Sequence, residues 1–145
     1  MSEQVSQRSR ELFEGGFYCA ESVLLAVAES KGIQSDLIPK IASGFCSGVA
    51  RTGGMCGAVS GAIMAINLLA GRSSPAESVE RSYSLTQQLI SRFEEQHGSI
   101  NCPQLIGCDL ATEAGQRTFQ EDHLIDRCKQ YVGDAAGIVI SLVPE

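Results

Sequence analysis

The sequence has no long apolar run, no excess of basic charge and no CxxC pair, and each absence closes a class of function. Its longest apolar stretches, Ala62–Ala70 and Ala135–Val143, are broken by Asn67 and Ser141. Both fall far short of the roughly 18–20 residues needed to cross a bilayer. The opening residues, Met1 to Ser6, are polar and lack the apolar centre of a secretory signal. Basic residues number 11 against 17 acidic ones, a net charge of −6, so a nucleic-acid backbone is excluded as a natural partner. The glycine-rich stretch Gly44–Gly54 lacks the Gly-Lys-Ser/Thr ending of a phosphate loop, and no G-x-S-x-G elbow occurs. Strict two-residue alternation is almost absent, which argues against strands.

What remains is a chain of 145 residues, the size of one domain spanning 1–145. At 43% apolar and 19% charged residues it can bury a sizeable core. It also carries six cysteines: Cys19, Cys46, Cys56, Cys102, Cys108 and Cys128. They are too sparse for a disulfide-dense secreted scaffold, which usually exceeds about 8–10% Cys. With no leader visible, the chain reads as cytoplasmic, where thiols stay reduced and several cysteines point to metal binding or redox chemistry.

Helical periods run through the chain. Ser2 is expected to cap a first helix with Val5, Ser9, Leu12 and Phe13 on one face, stopped at Gly15-Gly16. A second begins near Cys19 with the stripe Ala20, Val23, Leu24, Val27 and Ala28, ended by Gly32. A short third is expected around Leu37–Ile41, then the glycine-rich loop, then a buried helix from Met55 to Ala70. Ser73-Ser74-Pro75 followed by Glu77 predicts the start of a fifth, with Val79, Tyr83, Thr86, Ile90 and Phe93 on its face and Gly98 after its end. A second stripe on it, Leu85 and Leu89, offers a face for a homodimer or for burial in an antiparallel bundle. Asn101 predicts a single-turn helix to Gly107, Thr112–Phe119 a short one, and Leu124, Cys128, Val132 and Ala135 the face of a last one. Its β-branched tail, 137–143, is read as extended. The fold class is all-α: a compact bundle of about five main helices plus short turns.

Cys19, Cys56 and Cys102 all fall at expected helix starts. There, unpaired N–H groups and the positive end of the dipole stabilise a thiolate, the form that acts as nucleophile and as metal ligand. Gly57 and Gly61, four apart after Cys56, each cost up to about 1 kcal/mol in a helix, so close packing or a cofactor against that face has to repay them. Cys128 lies on an apolar stripe, which by periodicity alone makes it a packed core residue.

The segment Cys56-Gly57-Ala58-Val59-Ser60-Gly61 resembles the CGAxxG core of a family of small redox proteins named for a C…GCAxxG…C…C pattern, whose label writes the first two residues in the opposite order. The resemblance runs along nearly the whole chain. Phe17-Tyr18-Cys19-Ala20-Glu21 is similar to the family's first cysteine after a glycine turn, Asn101-Cys102-Pro103-Gln104 to its third, and Cys128 to its fourth. The resemblance implies a functional set of Cys19, Cys56, Cys102 and Cys128, with Cys46 and Cys108 as additions of open role. It is also similar to a domain associated with an iron–sulfur centre in a multihaem cytochrome, which implies cluster ligation.

Two mechanisms use these four thiols. They either hold an iron–sulfur cluster, [2Fe–2S] favoured, or zinc, or cycle without a cofactor between dithiol and disulfide. In the second, Cys56 is the expected attacking thiol and Cys102 or Cys19 the resolving one. A third reading is a helical module whose cysteines merely pack, and convergence of the four sulfurs on one cavity separates it from the first two. His97 is read as a surface group meeting its helix dipole, His123 as exposed, and Arg51 as solvated, as a contact for an anion or as a charge that raises thiolate character nearby. Glu94-Glu95 and Glu121-Asp122 read as solvated faces. The redox partner is left unnamed.

Overall fold

The computed structural model describes residues 1–144 and is all-α. Its elements are α1 (Ser2–Glu14), α2 (Cys19–Ser30), a 3-10 segment (Lys40–Phe45), α3 (Cys46–Arg51), α4 (Gly57–Ala70), α5 (Glu80–His97), α6 (Cys102–Ile106), α7 (Glu113–Glu121) and α8 (Ile125–Leu142). The five long helices are α1, α2, α4, α5 and α8. The others are short, and α3 is left-handed.

Helices α2 and α4 form the centre. Most of their residues are buried, as expected for helices apolar nearly all round. Around them, α8 packs on α1, α2, α4 and α5, and α5 packs on α4. The core joins Val23, Leu24 and Val27 of α2, Val59, Ala62 and Ile66 of α4, Leu89 and Phe93 of α5, and Val132, Ala135 and Val139 of α8. Gly61 lets α4 lie directly on the start of α2. A Cβ there would stand 2.6 Å from the Ala20 carbonyl oxygen and 2.7 Å from its Cα. Close packing thus accounts for this glycine. The polar Asn67 inside α4 is satisfied: it donates to the Ile63 carbonyl and accepts from Ser82 of α5.

Several expectations shift. Met1, not Ser2, caps α1. No α-helix forms at Leu37–Ile41, where a cis Ile38–Pro39 bond is followed by the 3-10 segment. The start signals at Ser73–Glu77 make a turn instead of a helix: the Glu77 carboxylate accepts from the Ser73 N–H, and α5 begins at Glu80. The buried residues of α5 are Ser82, Leu89 and Phe93, with Leu85 half-buried beside them, and Tyr83 is exposed. The Leu85–Leu89 stripe is therefore spent within the chain. The tail of α8 is helical to Leu142, because Ile138, Val139 and Ile140 are buried against the other helices and packing overrides their β-propensity. No helix among the described residues is long and apolar enough to cross a membrane.

Candidate functional site

The starts of three helices meet at one place. Cys19 is the first residue of α2, Cys56 caps α4, and Cys102 is the first residue of α6, behind the cap Asn101. Two of these starts are tied together by backbone pairing. Met55 and Asn101 form an antiparallel bridge, the Cys56 N–H donates to the Ile100 carbonyl at 2.7 Å, and the Cys102 N–H donates to Gly54 at 2.9 Å. The start of α2 is held separately: Glu21 accepts from the Tyr18 N–H at 3.0 Å and from the Ser43 hydroxyl at 2.7 Å. Gly57 brings the start of α4 against α2, since a Cβ there would lie 3.0 Å from the Cys19 Cβ.

The stretch read as a glycine-rich loop is a left-handed helical turn. Ser47, Gly48, Val49, Ala50 and Arg51 have φ of 59°, 67°, 59°, 55° and 66°. Outside glycine this conformation costs roughly 1–2 kcal/mol per residue, so neighbouring contacts must impose it. They do so at Gly48. Its carbonyl accepts from the Gly54 N–H at 2.9 Å, and a Cβ on it would stand 2.6 Å from the Cys102 Cβ. The turn aims the Ser47 backbone N–H at the Cys19 sulfur. The cluster of glycines at 44, 48, 53 and 54 was the one sequence signal for it; nothing about Val49 or Ala50 foretold positive φ.

Cys19, Cys56, Cys102 and Cys128 all line a single cavity of about 300 Å³. Cys128, half-buried on α8, lines the cavity next to Cys19, so it belongs to the cavity as well as to the apolar stripe. Tyr131, one turn further along α8, also lines it and donates its hydroxyl to the Leu105 carbonyl of α6 at 2.7 Å. Helix α7, capped by the Thr112 hydroxyl oxygen, forms another wall through Gln116, Phe119 and Gln120. Tyr131 and the α7 wall were not anticipated. Cys46 and Cys108 lie outside the cavity lining. The Cys46 thiol bonds the Ala42 carbonyl, and Cys108 sits beyond the end of α6.

The six thiols differ in acidity. Cys19 is lowered below the ordinary thiol value: the Cys128 thiol donates to its sulfur, which outweighs burial, and the backbone N–H groups of Ser47 and Cys19 add to the effect. Burial pushes Cys56 up to about 12, and the neighbouring Cys19 charge adds to that, against the N–H groups of Ala58 and Val59. Burial likewise raises Cys102 and Cys46 to about 11 each. Cys128 is raised strongly, first because its proton is held by Cys19 and then by burial. Of the three helix-start thiols Cys19 alone is lowered, and chiefly by Cys128. At Cys56 the loss of water outweighs the N–H groups of Ala58 and Val59, and at Cys102 burial is joined by the neighbouring charges of Cys19, Cys108 and Asp109.

Elsewhere, His123 is exposed as expected, at a φ of 51°. His97 ends α5 but is not a surface group. Its side chain is 12% exposed and lies against Phe93 and Tyr131, with Nε2 3.0 Å from an Asp134 carboxylate oxygen of α8. Arg51 is exposed and lines the cavity.

Four thiols are soft donors of the kind that iron and zinc prefer. Among the described residues, however, no three His, Cys, Asp or Glu side chains stand close enough together to hold one metal ion. The donor set suits a metal by type, and its spacing does not suit a single ion.

Among known proteins, an uncharacterized protein of Archaeoglobus fulgidus is 28% identical over 97% of this chain and 93% of its own length. No solved structure matches the chain. The model of one family matches residues 17–142, from the turn before Cys19 through the whole of α8. The chain belongs to that family, described as "Putative redox-active protein (C_GCAxxG_C_C)".

Proposed function

We propose that the protein is a cofactor-free thiol–disulfide redox protein whose reactive pair is Cys19 and Cys128. The observation that carries this reading is their shared place: Cys19 and Cys128 line the same cavity, and the Cys128 thiol is the first cause that lowers Cys19 below the ordinary thiol value. The attacking role expected of Cys56 passes to Cys19, since a thiol raised to about 12 is almost fully protonated near neutral pH.

The chemistry follows from the charges. The Cys19 thiolate attacks one sulfur of a substrate disulfide. A bond forms between Cys19 and that sulfur, the substrate S–S bond breaks, and the other substrate sulfur leaves as a thiolate. Once Cys19 is in the mixed disulfide it carries no charge to hold the proton on Cys128, so the chief cause of the raised Cys128 pKa is gone. Cys128 gives its proton to the leaving thiolate and attacks the Cys19 sulfur. This closes a Cys19–Cys128 disulfide and releases the second substrate sulfur as a thiolate, which water protonates. Two electrons pass from the protein to the substrate, and a cellular thiol reductant restores the pair. Resolution thus waits for the first attack.

A redox titration against dithiol buffers tests the reading. One two-electron transition is expected, lost in Cys19→Ser and in Cys128→Ser and kept in Cys46→Ser and Cys108→Ser. A transition that survives Cys128→Ser contradicts it. A second reading, an iron–sulfur cluster on Cys19, Cys56, Cys102 and Cys128, rests on the cavity the four thiols share. Iron, sulfide and visible absorption in protein purified without oxygen support that reading, and their absence removes it.

A further inference from the structure

The cavity is selective in shape and in charge. Cys19 is only 9% exposed and lines the cavity, so a disulfide must enter the cavity to be attacked. The volume of about 300 Å³ lies at the lower end of small-molecule pockets, which span about 300–1,000 Å³. That volume suits a compact molecule. The walls are mostly apolar: Phe13, Tyr18, Phe119 and Tyr131 contribute four of the chain's eight aromatic side chains, five Phe and three Tyr. One full charge lines it from the left-handed turn. Arg51 has no hydrogen bond or ion pair among the described residues, in a chain of net charge −6.

We propose that this cavity binds a small disulfide with an apolar body and an anionic end, the anion meeting Arg51 and the S–S bond meeting Cys19. The proposal rests on the dithiol reading above for its chemistry, but the binding site stands on the cavity and Arg51. The step is the exchange already written, with the substrate disulfide reduced to a dithiol and the Cys19–Cys128 pair oxidised. A guanidinium lining an apolar cavity offers a carboxylate a bidentate, charge-assisted pair that a neutral amide cannot match.

The probe is lipoate, a five-membered cyclic disulfide on a short aliphatic chain ending in a carboxylate. Its reduced form tests binding apart from exchange. Calorimetry on reduced protein should show saturable binding of dihydrolipoate, at least tenfold tighter than its neutral amide. That preference should disappear in Arg51→Gln and persist in Arg51→Lys. Mixed with reduced protein, lipoate should be reduced with a saturating rate, and the bulkier, zwitterionic glutathione disulfide at least tenfold more slowly. No saturable binding of dihydrolipoate, or an acid-over-amide preference unchanged in Arg51→Gln, overturns the proposed site. Saturable binding with no reduction of lipoate sustains the site and overturns the dithiol function.

Discussion

Replacing Gly48 by alanine tests whether the left-handed turn is jammed against Cys102. Two costs add at this position. The φ of +67° puts any L side chain in the left-handed region, at roughly 1–2 kcal/mol. The new Cβ would also stand 2.6 Å from the Cys102 Cβ and 3.2 Å from its Sγ, an overpacking that typically costs about 1–3 kcal/mol. The sum, about 2–5 kcal/mol, is a large share of a domain's whole stability of about 5–15 kcal/mol. Gly53 supplies the control. It has a φ of +77°, but a Cβ there would meet only Pro103 Cγ at 3.8 Å, so Gly53→Ala should show the backbone cost alone. Urea unfolding of both variants measures the difference, about 1–3 kcal/mol more for Gly48→Ala. Adding Cys102→Gly, which removes the opposing Cβ, should recover that excess in a double-mutant cycle. Equal losses for the two glycine variants, or no recovery with Cys102→Gly, would refute the argument that Cys102 holds the turn in place.

Three further outcomes follow from the site and the core. In Cys128→Ala the Cys19 thiolate loses a hydrogen bond of the kind worth about 1.5–3 kcal/mol. Its alkylation rate at a pH where it is then mostly protonated should drop roughly 10- to 100-fold, and an unchanged rate would show that Cys128 does not stabilise it. Burial raises Cys56 to about 12 and Cys46 and Cys102 to about 11, from an ordinary 9.0. The folded state keeps these protons longer than the unfolded chain does, so their contribution is present below pH 9 and is lost as pH rises through 11 to 12. Reduced protein should accordingly lose unfolding free energy across that window, and a flat profile there would contradict the burial of these thiols. Gly61→Ala should destabilise although helix propensity favours alanine by up to about 1 kcal/mol, because the new Cβ meets the Ala20 backbone at 2.6 Å. A gain in melting temperature would mean that α2 and α4 are less closely packed.

The helix framework was legible where capping and periodicity agreed. Val5, Ser9, Leu12 and Phe13 are the buried face of α1, and Asn101 and Gly107 bound α6. The framework misled where a local signal had two physical outlets. Ser-Ser-Pro-x-Glu can start a helix or close a turn around Glu77, and only the chain beyond it decides. Of the site, the four cysteines and their helix starts could be read from the sequence, because glycines, caps and spacing are local. Their ranking could not. With the same N-terminal placement Cys19 is lowered and Cys56 raised, since the outcome depends on which thiol lies next to Cys128 and on how much water burial removes. Those are long-range facts, set by α8 folding back more than a hundred residues along the chain. The left-handed turn was equally hidden, because Val49 and Ala50 have no preference for the conformation that Gly48 and Cys102 impose on them.

The central claim is that Cys19 and Cys128 are the redox pair, and disulfide mapping tests it most directly. Protein reduced without oxygen would be treated with one equivalent of diamide, its remaining thiols blocked at low pH, and its peptides read by mass spectrometry. A Cys19–Cys128 linkage as the first disulfide formed is the predicted result. A first linkage between Cys56 and Cys102, or the absence of any intramolecular bond to Cys19, would contradict it.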